Sequence, residues 1–210
     1  MSRYRKELYP ISIYHNRVED NERMKELIVP QIEGNLKKIA PVPDGWLTTQ
    51  CTTSFDSDDV NGSIFYEGKD SEEIREQYMN VMKTFFDKDW EVDIPNIWFN
   101  YYTNGEYQEG HTHLGSFRKP LHFACVHFLS LDPERHSPLV FTDPLTTLRT
   151  PMFEMDSSNY SEKYQVNAKE GDFVMFPCYL EHEVKSGPPT PDYPRITVSF
   201  NVRVLRYGDE

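Results

Sequence analysis

The sequence predicts an α+β domain, mainly β, in which N-terminal helices brace a β-sandwich or open barrel. Three observations carry that expectation. Apolar residues recur at helical spacing before residue 96, short β-like segments follow from Ile97 onward, and the last of these alternates strictly between polar and apolar side chains.

Taken in order, residues 9–14 read as an opening strand. Over 19–39, Met24, Leu27, Ile28, Ile32, Leu36 and Ile39 share one helical face, with Pro30 expected to kink the helix or delay its start. Residues 46–55 are Thr-rich and read as extended. Asp70 followed by Glu73 resembles a capping box, and Ile74, Tyr78, Val81, Met82 and Phe85 then recur at helical spacing. Further strands are expected at 97–102, 121–130, 139–142, 164–167, 171–176 and 195–205. Neither a repeat, a low-complexity stretch nor a linker divides the 210 residues. One domain is expected, with 1–95 as helical support and 96–205 as the β core.

Composition narrows the partners. Aspartate and glutamate number 34 against 22 lysines and arginines, a formal charge of -12. Such a surface repels a phosphate backbone, so nucleic acid is not expected and a basic substrate fits better. Cys51, Cys125 and Cys178 are widely separated and odd in number, which argues against a disulfide framework or a thiolate zinc site and for a reducing, cytoplasmic setting. No apolar run approaches the roughly 20 residues that cross a bilayer, so no membrane partner is expected.

Three of the seven histidines sit in contexts that suggest a metal. In an extended segment residues two apart point to one face, so His111 and His113 can reach the same ion. His182 follows the apolar run Gly171-Asp-Phe-Val-Met-Phe-Pro177, a strand end suited to delivering another ligand. Imidazole with oxygen donors suits Fe(II) and leaves positions open for a co-substrate and O₂. Alone, a His-x-His pair is more often a surface or hydrogen-bonded pair; the distant His182 shifts the balance.

The final strand places Arg195, Thr197, Ser199, Asn201 and Arg203 on one face and Ile196, Val198, Phe200, Val202 and Val204 on the other. The polar face of an ordinary edge strand meets solvent. Here the strand closely follows His182, and a guanidinium with a hydroxyl two residues on, Arg195 and Thr197, can hold a carboxylate through charge-assisted hydrogen bonds. Trp98, Phe123, Phe173 and Phe176 read as core, and His127 and Cys125 as structural, on the strand face opposite His122.

These residues carry a family resemblance. The run Asn104-Gly-Glu-Tyr-Gln-Glu-Gly-His111-Thr-His113, then Gly171 to Pro177, Glu181-His182-Glu-Val184 and Arg195-Ile-Thr-Val-Ser-Phe-Asn201, resembles the Fe(II)/2-oxoglutarate oxygenase superfamily. More narrowly it is similar to a 2-oxoglutarate oxygenase family common in bacteria and marine phages. Trp98-Phe-Asn100, Phe141-Thr-Asp143-Pro144, Leu8-Tyr-Pro-Ile-Ser-Ile13 and Gly45-Trp46 fit that family as well. The resemblance implies a double-stranded β-helix, jelly-roll or cupin-like, holding one Fe(II). It also implies decarboxylation of 2-oxoglutarate to succinate and CO₂, coupled through O₂ to hydroxylation of a C–H bond, with a protein or peptide residue preferred as substrate. It assigns His111 and His182 as ligands, and Arg195 with Thr197 to the distal carboxylate of 2-oxoglutarate.

One departure stands out. The superfamily places Asp or Glu two residues after the first histidine, and this chain has His113. Three readings follow: His113 ligates in its place, the position is vacant or water-filled, or Asp143 supplies a carboxylate from another strand. The aspartyl/asparaginyl β-hydroxylases also lack that carboxylate, and resemblance to them gives His122 a 2-oxoglutarate contact. Asn100 and Asp143 are expected to orient substrate or the ligands, with a turn before Pro144 an equal account of Asp143. Two other readings compete. One is a cupin-type metal dioxygenase or isomerase without 2-oxoglutarate; the other is a non-catalytic metal-binding β-sandwich.

Overall fold

A computed structural model describes residues 11–39, 51–86, 90–115, 119–146 and 161–206. Among them, strands form two antiparallel sheets. The larger runs in the order β1 (Tyr14–Arg17), β8 (Asp172–Pro177), β5 (Phe123–Ser130), β10 (Arg195–Arg206), β3 (Glu91–Tyr102), β2 (Thr52–Thr53). The smaller runs β4 (Gln108–His111), β9 (His182–Val184), β6 (Leu139–Thr142), β7 (Lys163–Gln165). Among the described residues no helix is long and apolar enough to cross a membrane.

Two apolar layers follow from this arrangement. On one face of the large sheet, α1 (Asn21–Asn35) buries Met24, Leu27, Ile28 and Ile32, and α3 (Ser71–Lys83) buries Ile74, Tyr78, Val81 and Met82. They pack on Phe99, Cys125, Phe173, Val198 and Phe200. On the other face, Val126, Phe128, Val174 and Phe176 meet Leu139, Phe141 and Val184 of the small sheet. Each large apolar side chain so buried contributes about 1.5–3 kcal/mol. β10 is therefore covered on both sides, and its polar face is withdrawn from solvent rather than exposed to it.

Several local expectations need correction. Pro30 lies inside α1, which already starts at Asn21, so the proline does not delay it; buried residues on either side hold both halves against the core, and beyond Asn35 the chain tightens to a 3₁₀ turn over Leu36–Lys38. The capping box at Asp70 does not form. Asp70 makes no side-chain cap, and Glu73 instead accepts two hydrogen bonds from Arg23 at 2.8 and 2.9 Å. The opening strand is later than expected, and β2 is only two residues long. Positions 8–10 and 45–50 lie outside the described residues. The α2 helix (Asp58–Asn61), continuing as a π turn over Gly62–Tyr66, was not anticipated: Gly and Asn in a short stretch give weak periodicity.

His127 ties the helices to the sheet, as a structural histidine should. Its Nδ1 accepts from the Tyr78 hydroxyl (3.1 Å) and its Nε2–H donates to Asn21 Oδ1 (2.8 Å), which satisfies the neutral ring and leaves no room for a second proton. Burial pushes its pKa from 6.5 down to about 3. Because the folded value lies below the unfolded one, this contribution is complete above pH 6.5 and is lost as pH falls towards 3, at up to about 1.4 kcal/mol per pH unit. Urea unfolding of wild type and His127→Gln between pH 7.5 and 4.5 should show a shallower loss in the variant; equal slopes would refute the assignment.

Glycines give a second test. Gly105 has φ +75°, and a Cβ there would collide with the Gly187 carbonyl, whereas one on Gly34 in α1 meets none of the described residues within 4 Å. Gly105→Ala should cost about 1–3 kcal/mol, and Gly34→Ala should stabilise by about 0.5–1 kcal/mol, both read from denaturant midpoints.

Candidate metal centre

β4 and β9 pair so that His111 lies directly opposite His182. Their register shifts between Gln108 and His111: Gln108 faces Val184, two residues beyond His182 on β9, while β4 spends three residues over the same span. The extra residue is a β-bulge, which turns both Gln108 and His111 to the inner face. After β4 the chain stays extended beside the loop that enters β9, its His113 N–H donating to the Cys178 carbonyl at 2.8 Å. His113 thus returns to the same side as His111. Ring centroids are 4.3 Å apart for His111 and His182, 4.9 Å for His113 and His182, and 5.1 Å for His111 and His113. One ligand atom from each lies within 4.8 Å of the others.

Each ring has its Nδ1 engaged by an oxygen acceptor. His111 donates to the Glu109 carbonyl (2.8 Å), His182 to the Leu180 carbonyl (3.1 Å) and His113 to Asn201 Oδ1 (2.7 Å). The protons are thereby held on Nδ1 and each Nε2 carries the lone pair a metal would take, that of His111 lying 3.5 Å from Gln108 Nε2. Burial lowers all three pKa values: His113 to about 4, with His111 nearby adding to the effect, His182 well below 6.5, and His111 also below it. At neutral pH the cluster presents unprotonated imidazoles, the form that binds metal.

The opposite wall is built by β3 and β10, where Arg195 pairs with Tyr102, Thr197 with Asn100, Ser199 with Trp98 and Asn201 with Asn96. Trp98, Asn100, Arg195, Thr197 and Ser199 line one cleft together with the three histidines. Arg195 is only 3% exposed. Its guanidinium lies 4.7 Å from the Tyr102 ring centre and 5.8 Å from that of Phe128, yet Nε and Nη1 have no hydrogen-bond partner among the described residues. Cation–π contact offsets part of the cost of burying this charge, but two orphaned donors leave it in need of an anion. A dicarboxylate keto acid meets that need, and the imidazole set opposite suits a divalent iron, so the residues fit both groups.

Other expected positions fall differently. Asn100 and Thr197 lie in the cleft, with Asn100 Nδ2 donating to Thr197 Oγ1 at 3.4 Å. His122 does not line it: the residue precedes β5, and its Nδ1 accepts from the Val204 N–H at 3.1 Å. Asp143 forms a turn after β6, with Oδ1 accepting from the Leu145 N–H at 2.9 Å, and is absent from the histidine cluster. Trp98, expected as core, lines the cleft and carries a buried Nε1–H without a partner. Tyr102, Gln108, Ser199 and Asn201 were not singled out. Ser199 and Asn201 share the alternating face of Arg195, which was a usable signal; Gln108 needed the bulge.

The sequence family described as "Putative 2OG-Fe(II) oxygenase" (2OG, 2-oxoglutarate) matches residues 96–201. The chain belongs to this family. The oxygenase therefore uses Fe(II) with 2-oxoglutarate as co-substrate, which sets aside the cupin-type reading without 2-oxoglutarate. No curated protein sequence matches it. Among solved structures, a Pseudomonas putida prolyl-4-hydroxylase is 12% identical over 94% of both chains, with a TM-score of 0.55. A Trichoplax adhaerens prolyl hydroxylase, in complex with a peptide fragment of the hypoxia inducible factor oxygen degradation domain, is 8% identical over 90% of this chain and 82% of that one, TM-score 0.59. HygX from Streptomyces hygroscopicus, with nickel and 2-oxoglutarate bound, is 12% identical over 94% and 85%, TM-score 0.57; another structure of it also holds hygromycin B. At such identities the likeness is one of fold: the facing sheets are a double-stranded β-helix.

Proposed function

We propose that the oxygenase is a hydroxylase in which His111, His113 and His182 hold the iron while Arg195 and Thr197 hold the distal carboxylate of 2-oxoglutarate. The observation that carries this reading is the meeting, in one cleft, of three imidazoles with a ligand atom each within 4.8 Å of the others and a buried guanidinium with two unpaired donors. When bound, iron, 2-oxoglutarate and O₂ supply an oxidant for a C–H bond, with succinate and CO₂ released.

The chain's own residues position and shield. Arg195 offers its unpaired Nε–H and Nη1–H donors to a carboxylate. Thr197 Oγ1 accepts from Asn100 Nδ2, which leaves its hydroxyl proton free to add a further donor. Val126, Leu139 and Val184 give the cleft apolar walls that limit water. Asn100 is assigned to orient substrate. Asp143, engaged in its turn, loses that role, and His122 loses the co-substrate contact.

A protein or peptide residue is the preferred substrate. The prolyl hydroxylase neighbours support it, one of them in complex with a peptide, and the acidic surface favours a basic sequence. HygX with hygromycin B supports a second reading, a basic small molecule. Succinate release stimulated by a lysine-rich peptide library or by aminoglycosides separates the two. Buried thiols at Cys125 and Cys178 that form no disulfide suit a cytoplasmic setting.

His182→Ala should abolish iron-dependent conversion of 2-oxoglutarate to succinate. Arg195→Ala should weaken 2-oxoglutarate binding by about 2–5 kcal/mol, roughly 30-fold or more. Wild-type turnover in the first variant, or wild-type 2-oxoglutarate dependence in the second, would sink the assignment.

A further inference from the structure

We propose that Asn201, held by Asn96, is the positioning residue that allows a histidine at 113 to serve as the third metal ligand, an inference that rests on the three-histidine centre above. His111 and His182 are steadied locally, each donating Nδ1–H to a carbonyl two residues earlier in its own segment. His113 has no such anchor. It lies beyond the last residue of β4, and its Nδ1–H crosses to the other sheet, to Asn201 Oδ1 at 2.7 Å.

That acceptor is itself oriented. Asn201 is 3% exposed on β10 and sits directly opposite Asn96 on β3, and its Nδ2 donates to Asn96 Oδ1 at 2.9 Å. An amide has a donor end and an acceptor end. With the donor end taken by Asn96, only the oxygen can face His113, so the ring must present its Nδ1–H to Asn201 and its Nε2 to the cluster. The choice of amide matters as well. A neutral acceptor keeps His113 a neutral imidazole, whereas a carboxylate would draw the ring towards imidazolate and make it a stronger donor. The pair therefore fixes the tautomer, the ring orientation and the basicity of the ligand proposed at 113.

The test uses the purified full chain with Co(II) alone, reading the dissociation constant and visible absorption, with thermal unfolding of the metal-free protein as the folding control. Asn201→Leu, similar in size but without an acceptor, should weaken Co(II) binding about 10–100-fold and move the spectrum towards that of His113→Ala. Asn201→Asp should restore affinity to within a few-fold of wild type, with an altered spectrum, because a carboxylate accepts the same proton. Should Asn201→Leu fail to fold, Asn96→Ala decides in its place, with weaker binding supporting the pair and wild-type binding overturning it. Unchanged affinity and spectrum in Asn201→Leu, alongside weakened binding in His113→Ala, would overturn the positioning role while leaving three histidine ligands. Unchanged binding in His113→Ala would remove the three-histidine centre and this inference with it.

Discussion

β10 runs through the middle of the larger sheet with helices on one side and the smaller sheet on the other, so every side chain from Arg195 to Val202 is withdrawn from water. A strand of this kind normally carries apolar residues on both faces. Here one face is Arg, Thr, Ser and Asn, and each polar group must find a partner inside the barrel or carry a desolvation cost of about 1–3 kcal/mol, more if charged. Ser199 and Thr197 accept from Asn100, and Asn201 bridges Asn96 and His113. Arg195 alone on this face keeps two donors without partners. Within the row from Arg195 to Asn201 the guanidinium thus lies at one end, while Asn201 meets His113 at the other.

The smaller sheet contributes through register rather than size. β9 spans only three residues, too few to be stable without its neighbours, yet its pairing fixes His182 between His111 on β4 and Phe141 on β6. Phe141 and Phe176 close over His182, with ring centroids 6.1 and 4.7 Å away. The bulge in β4 does the rest, since a regular strand would send Gln108 and His111 to opposite faces. Gly110 belongs to this bulge, and a Cβ added there would sit against the Glu181 side chain, which limits what the position accepts.

How much of this was legible in the sequence depended on whether a feature was local. The alternation of β10, the shared face of His111 and His113 and the apolar face of α3 are set by neighbours within a few residues, and all three can be read directly. The opposition of His111 and His182 cannot, because it rests on a three-residue strand and a bulge whose signal is an ordinary Gln-Glu-Gly. His122 shows the same dependence. Its spacing from His111 is local, but whether that side chain enters the barrel depends on where β5 begins, and here its Nδ1 accepts from the Val204 N–H before the strand starts. Glu73 likewise sat at capping-box spacing, but a bidentate contact with Arg23 on another helix outweighed a single backbone N–H.

In the proposed three-histidine centre, a neutral His113 in place of a ligating carboxylate would change the charge held inside the barrel. A divalent ion and the Arg195 guanidinium then face a dianionic co-substrate with no anionic ligand to complete the balance, which leaves one positive charge in excess in a medium of low dielectric. An excess of this kind strengthens the hold on the dianion and is tolerable only if negative charge lies near. Glu109 and Glu181 flank His111 closely enough to favour its charged form, and the chain as a whole carries -12. An aspartate at 201 would cancel the excess but bring a second acceptor against Asn96 Oδ1, which the neutral amide satisfies with its N–H. Asn201 therefore settles two demands at once, a fixed proton on His113 and a matched hydrogen bond to Asn96, and the acidic surface is left to offset the charge from a distance.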